Sequence, residues 1–158
     1  MADQGPTPDA PLFAFFTEVG ILAQLSRATL EARLPHGFNL PQFSVLNHLV
    51  RVRDGQTPLA LARAFQVPKT SMTHSLAVLS RHGLIEMRPN TRDGRSKRVF
   101  ITDAGRAFRQ RAVESLQPDM AAIAARFPLE DLAGVLPVLT ALRQVMDRMR
   151  DEDPPSDG

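Results

Sequence analysis

Between Thr57 and Gly105 the apolar residues switch from helical spacing to strict alternation and back, with turn-forming residues at each switch. This leaves little freedom in what the stretch can form. Thr57 suits a helix N-cap and Pro58 the first helical position, which predicts a short helix through about Phe65. A short turn around Gln66 and Val67 leads to Pro68, and a second helix follows to Arg81 or His82. Gly83 stands where a left-handed C-terminal cap is wanted. Met72, Leu76 and Leu79 fall at i, i+4 and i+7 and face inward, which leaves Thr70, His74, Ala77 and Arg81 outward, with Lys69 and Thr73 beside them. Beyond Leu84 the period becomes two. Ile85 and Met87 alternate with Glu86 and Arg88, and Val99 and Ile101 with Arg98 and Phe100. The segment from Pro89 to Lys97 is rich in turn formers and carries Arg92, Arg95 and Lys97, so a β-hairpin with a basic tip is expected. Thr102 then caps another helix.

The flanks read as helices. Leu12 to Leu34 places Leu12, Phe15, Phe16, Val19, Leu22, Ala23, Leu30 and Leu34 at helical spacing, ended by Pro35 and Gly37. Pro41 opens a helix to about Val52, with Phe43, Leu46, Leu49 and Val50 on one face, and Asp54-Gly55 is a turn pair. A long helix from about Asp103 to Arg126 is interrupted by Pro118. The last helix, about Leu129 to Arg150, spaces Leu132, Val135, Leu139, Leu142, Met146 and Met149 like a heptad seam, and Pro137 implies a bend within it. The expected fold is mainly α with a small β-hairpin wing. A winged helix-turn-helix lobe spans 38–103, terminal helices span 11–36 and 104–150, and flexible tails cover 1–10 and 151–158.

Charge is divided along the chain. The net +2 conceals thirteen Lys or Arg against four Asp or Glu between Val50 and Arg111, while the remainder carries six against thirteen. A basic centre between acidic ends is a footprint for a polyanion. A helix-turn-helix puts its second helix in the DNA major groove, where each base pair shows a distinct donor and acceptor pattern. Short side chains such as Thr70, Ser71, Thr73 and His74 approach base edges there, and Lys69 reaches a phosphate or a guanine. Arg92, Arg95 and Lys97 on the hairpin reach the backbone or the minor groove. A solvated basic surface is the plainer reading of the same charges.

Other functional classes find no support. There is no cysteine, which removes disulfides, thiolate metal sites and thiol redox chemistry. His36, His48, His74 and His82 have no zinc-like spacing, so no metal is expected, and His48 reads as a half-buried structural residue. No nucleophile elbow, glycine-rich phosphate loop or H-E-x-x-H motif is present, and Glu130-Asp131 begins a helix where carboxylates favour the dipole. Neither catalysis nor a cofactor is expected. With no long apolar run and no secretion signal, no membrane partner is expected and the cytoplasm is the expected compartment.

The segment LARAFQVPKTSMTHSLAVLSRHGLIEMRPNTRDGRSKRVFITDAG resembles the winged-helix core of the MarR family of bacterial transcription regulators. Asp93, Arg95, Ser96-Lys97 and the Ile-Thr-x-x-Gly ending at Gly105 carry the wing signature, and the helix order is similar from about Leu12 to Arg150. Pro68 departs from the family pattern, which often has a Ser or Thr cap there. The resemblance implies a homodimer whose first and last helices interlock, set on double-stranded DNA at a pseudopalindromic site and acting as a repressor. It implies an ion pair by which Asp93 aims Arg95 into the minor groove. It also implies a pocket for a small aromatic or amphipathic effector, with Phe16, Phe43 and Phe108 as candidate lining, although core packing accounts for those aromatics equally well. A winged helix used for protein contacts, or for nonspecific architectural DNA binding, is the alternative.

Overall fold

The computed structural model describes residues 10–152, and the tails expected at the ends lie largely outside them. Ala10 already begins the first helix, and the last helix continues through Glu152. Two compact units are distinct, divided between Gln117 and Pro118.

The first unit contains α1 (Ala10–Glu31), α2 (Leu40–Arg51), α3 (Pro58–Phe65), α4 (Lys69–Arg81), β1 (Ile85–Pro89), β2 (Lys97–Ile101) and α5 (Asp103–Ser115). Its core joins Val45, Leu46 and Leu49 of α2 to Leu61 and Ala62 of α3, Met72, Leu76 and Leu79 of α4, Val99 and Ile101 of β2, and Phe108 and Ala112 of α5. A side chain such as Leu46 or Leu79, with no exposed surface, contributes on the order of 2 kcal/mol by leaving water. The stripe expected on α4 is the buried one, with Ser75 added to it.

Local chemistry sets the element ends. Asn39 and Gln42 form a reciprocal capping box at the start of α2. The Thr57 hydroxyl accepts the Ala60 N–H at the start of α3. Gly83, at φ 68°, ends α4 in a Schellman motif: its N–H reaches the Ser80 carbonyl and the Leu84 N–H the Leu79 carbonyl. Both leucines are buried, which supplies the apolar contact that accompanies this cap.

β1 and β2 pair antiparallel, with Ile85 opposite Ile101 and Pro89 opposite Lys97. The alternation expected in β1 is only half realised, since Ile85 is buried and Met87 lies at the surface. One face of an edge ribbon has core beneath it only near its root, so the pattern fades toward the tip. Val99 also bridges to Gln56 on the other side of β2, through N–H to carbonyl bonds of 2.8 Å from Val99 and 3.0 Å from Gly55.

In the second unit the long helix expected to break at Pro118 is indeed two, with α6 (Gln117–Ala124) starting one residue before the proline. α7 (Leu129–Glu152) runs continuously through Pro137. None of its described side chains is buried, and Val135, Leu136, Val138, Met146 and Met149 are all exposed. Among the described residues no helix is long and apolar enough to cross a membrane.

Candidate nucleic-acid interface

α4 presents Lys69, Thr70, Ser71, Thr73 and His74 to solvent over its first turns, while Met72, Ser75, Leu76 and Leu79 seat its other side. Burial of one side fixes which side chains can point outward. The Thr73 hydroxyl donates to the Lys69 carbonyl at 2.8 Å, so what it offers outward is its lone pairs. An adenine or cytosine amino group is the base-edge feature such an acceptor fits. Pro68 occupies the N-cap position of α4 and supplies no side-chain acceptor, so the first N–H groups of this helix lack the cap that Thr57 gives α3.

The wing tip holds its own shape. Asn90 donates twice to Ser96, from its N–H to the Ser96 carbonyl at 3.0 Å and from its side-chain amide to the Ser96 hydroxyl at 2.9 Å. The Asn90 side-chain oxygen also accepts the Arg92 N–H at 3.2 Å. Asp93 does not pair with the Arg95 guanidinium as expected. Its carboxylate accepts the Arg95 backbone N–H at 3.1 Å, and its carbonyl accepts the Ser96 N–H. Asp93 therefore shapes the turn, as short acidic side chains do by bonding the backbone two residues on. Among the described residues no ion pair engages Arg92, Arg95 or Lys97, all three exposed. Lower on the ribbon, Arg88 pairs with Glu86 and lies over the Phe100 ring at 4.5 Å.

The hairpin root accounts for the Ile-Thr-x-x-Gly motif. The Thr102 hydroxyl donates to the Gly83 carbonyl at 2.7 Å and accepts the Gly105 N–H at 3.0 Å, tying the end of α4 to the start of α5. A Cβ on Gly105 would overlap the Leu84 carbonyl oxygen, so only glycine fits.

The three aromatics expected around an effector differ in exposure. Phe43 and Phe108 are core residues, the latter against Phe38, and Phe16 lies on the exposed face of α1. A cleft of about 580 Å³ lies elsewhere in the first unit, lined by Arg27, the start of α2 from Asn39 to Gln42, Phe65, Val67, and Thr70, Ser71 and His74 of α4. Sequence reading missed it because its walls come from four helices at unrelated spacings. Glu31 holds one edge, its carboxylate taking the Leu40 N–H at 2.9 Å and Arg27 at 3.2 Å. The Leu40 N–H, and secondarily Arg27, hold its pKa below the ordinary 4.5. His48 is half-buried as expected, 2.9 Å from the Gln56 amide and against Phe65. Among the described residues no group of His, Asp or Glu is arranged to hold a metal.

Comparison with known proteins agrees with this geometry. Residues 36–96 match the MarR family model. The transcriptional regulator BldR from Sulfolobus solfataricus is similar at 19% identity, with 90% of this chain and 99% of that one covered and a TM-score of 0.73. A mutant MarR from E. coli complexed with operator DNA shares 20% identity over 87% of this chain and 99% of its own, with a TM-score of 0.68. The PcaV transcriptional regulator from Streptomyces coelicolor, solved with its natural ligand, shares 17% over 91% and 96%, with a TM-score of 0.64. The comparison with curated proteins found no match. The family match runs through the helix-turn-helix to the wing tip, and the fold of these regulators is shared along most of the chain, so over residues 36–96 the chain resembles the MarR family and throughout has the winged-helix fold of its solved members.

Proposed function

We propose that the protein is a sequence-specific repressor that binds a pseudopalindromic operator as a homodimer. The observation that carries this reading is the exposed side of α4, polar from Lys69 to His74, on the same lobe as a wing tip whose arginines have no acidic partner among the described residues. Side chains of this size admit close approach to base edges, and unpaired guanidiniums are free for phosphate. The likeness to a regulator solved on operator DNA supports it.

Homodimerisation is supported by the apolar surface that the described chain leaves in water. Phe13 is 77% exposed and Leu22 63% on α1, with Leu136 at 62% on α7. Such faces, on helices that the family resemblance assigns to the dimer, are what a second copy would cover. Two recognition helices related by a twofold axis read half-sites about 10 base pairs apart.

An effector site fits the α4 cleft better than the three phenylalanines. Its lining is largely apolar or neutral with one guanidinium, Arg27, which suits a small amphipathic or aromatic molecule bearing an acid. Thr70, Ser71 and His74 belong both to the cleft wall and to the proposed DNA face, so a bound molecule acts on the recognition helix directly. To release DNA it must favour a helix position that DNA does not.

Selection from random duplex DNA at near-physiological salt tests the main reading. Enrichment of an inverted repeat supports it, whereas binding with no motif, or none at all, would move the weight to a nonspecific or protein-binding winged helix.

A further inference from the structure

Asp54, read from sequence only as half of a turn pair, is the most heavily engaged acidic side chain at the root of the wing. It lies just after α2 and before α3, in the segment from which the helix-turn-helix starts. Its Oδ1 accepts the Ile101 N–H and the Gly55 N–H, each at 3.0 Å, and its Oδ2 accepts Arg106 of α5 at 3.3 Å. Arg98 of β2 donates from Nε to the Gly55 carbonyl at 2.6 Å. Gly55 sits at φ 69°, with the Phe100 ring pressed where a Cβ would be. Asp54 thereby ties the loop that opens the helix-turn-helix to the last residue of β2 and to the first turns of α5.

We infer that Asp54 is a positioning residue that sets the angle of the wing relative to the recognition helix, and so acts on DNA affinity through Arg95 without touching DNA. The inference rests on the reading that α4 and the wing bind DNA together. Leverage is the physical reason. β2 extends roughly 13 Å from Ile101 to Lys97 at about 3.3 Å per residue. A rotation of about 10° at the root therefore displaces that end by about 2 Å, with the tip beyond it moving further. A guanidinium contact to phosphate does not survive such a displacement, because N–H to O bonds weaken steeply beyond about 3.2 Å. β1 cannot hold the angle alone, since only its first residue is buried.

The test is a set of double-mutant cycles on the full-length protein, with the duplex enriched by selection as the probe. Asp54→Ala removes the whole clamp. Asp54→Asn keeps an acceptor for Ile101 while removing the charge opposite Arg106, and carries the cycle should the alanine variant fail to fold. Each is expected to weaken binding several-fold, within the range of about 2- to 150-fold that coupled residues show. Combined with Arg95→Ala, it is expected to cost less than the product of the two losses, because a wing already lacking its Arg95 contact has less to lose by being misplaced. Combined with Thr70→Ala, the two losses are expected to multiply. Losses that multiply with Arg95→Ala as well, or that follow the unfolded fraction measured by circular dichroism, would overturn the inference while leaving DNA binding intact. A wild-type protein that binds no duplex, or an Arg95→Ala variant that binds as wild type does, would remove the reading beneath it.

Discussion

Arg95 and Gly105 belong to the same wing motif and do opposite jobs. Arg95 is exposed at the tip and its guanidinium makes no ion pair among the described residues, so its replacement should leave the fold alone. We expect Arg95→Ala to weaken binding to all sequences alike and to lower the slope of log K against log salt by about one, because a phosphate contact releases a counterion and reads no base. A slope equal to wild type would show that the wing does not touch the backbone. Thr70→Ala and His74→Ala should instead leave the slope alone and relax preference at individual base pairs by about 1–3 kcal/mol, read from a selection profile. Gly105 is buried against the Leu84 carbonyl. Alanine there gains up to about 1 kcal/mol in helix propensity, but overpacking costs about 1–3 kcal/mol, and a backbone oxygen held in a tight junction yields little. Gly105→Ala should therefore lower the denaturation midpoint, and an unchanged midpoint would mean the junction is looser than its geometry indicates.

At the scale of elements, one carboxylate joins α1 to α2 alongside the buried Leu30 and Leu34. Glu31 accepts the Leu40 N–H at the start of α2 and pairs with Arg27 on its own helix. Because these contacts lower its pKa in the folded state, its stabilisation is complete above the ordinary value of 4.5 and is lost as pH falls through the lowered one. Glu31→Gln should accordingly show a lower Tm than wild type at neutral pH, with the gap closing as the solution is acidified below 4.5. A gap that persisted unchanged in acid would place the effect in packing. The same joint borders the α4 cleft through Arg27, so under the proposed effector reading an acid bound there would compete with Glu31 for the guanidinium.

On the scale of the whole molecule the terminal helices matter most. α1 buries only Leu30, and no described side chain of α7 is buried, although both are long and carry large apolar residues. Under the proposed homodimer, Phe13→Glu or Leu136→Glu should yield a monomer by analytical ultracentrifugation while helicity is retained. Operator affinity should fall steeply, because the second half-site then binds as a separate molecule. A dimer that survives both changes would move the interface off these faces.

Much of the first unit was legible in the sequence because its signals are local. Thr57 and Pro58 start α3, the stripe of Met72, Leu76 and Leu79 orients α4, Gly83 ends it, and alternation plus a turn-rich tip makes the hairpin. Each is decided within one turn or one strand, where capping and periodicity act. The sequence alone therefore determined the order of elements and which side of α4 faces out. Tertiary structure decided what depends on residues far apart in the chain. It turned Asp93 onto a backbone N–H in place of a guanidinium and sent Phe43 and Phe108 into the core. It opened a cleft between four helices and bound Asp54 to Ile101 and Arg106 across some fifty residues. No local pattern encodes such contacts, because a side chain's partner is set by where the folded backbone brings it.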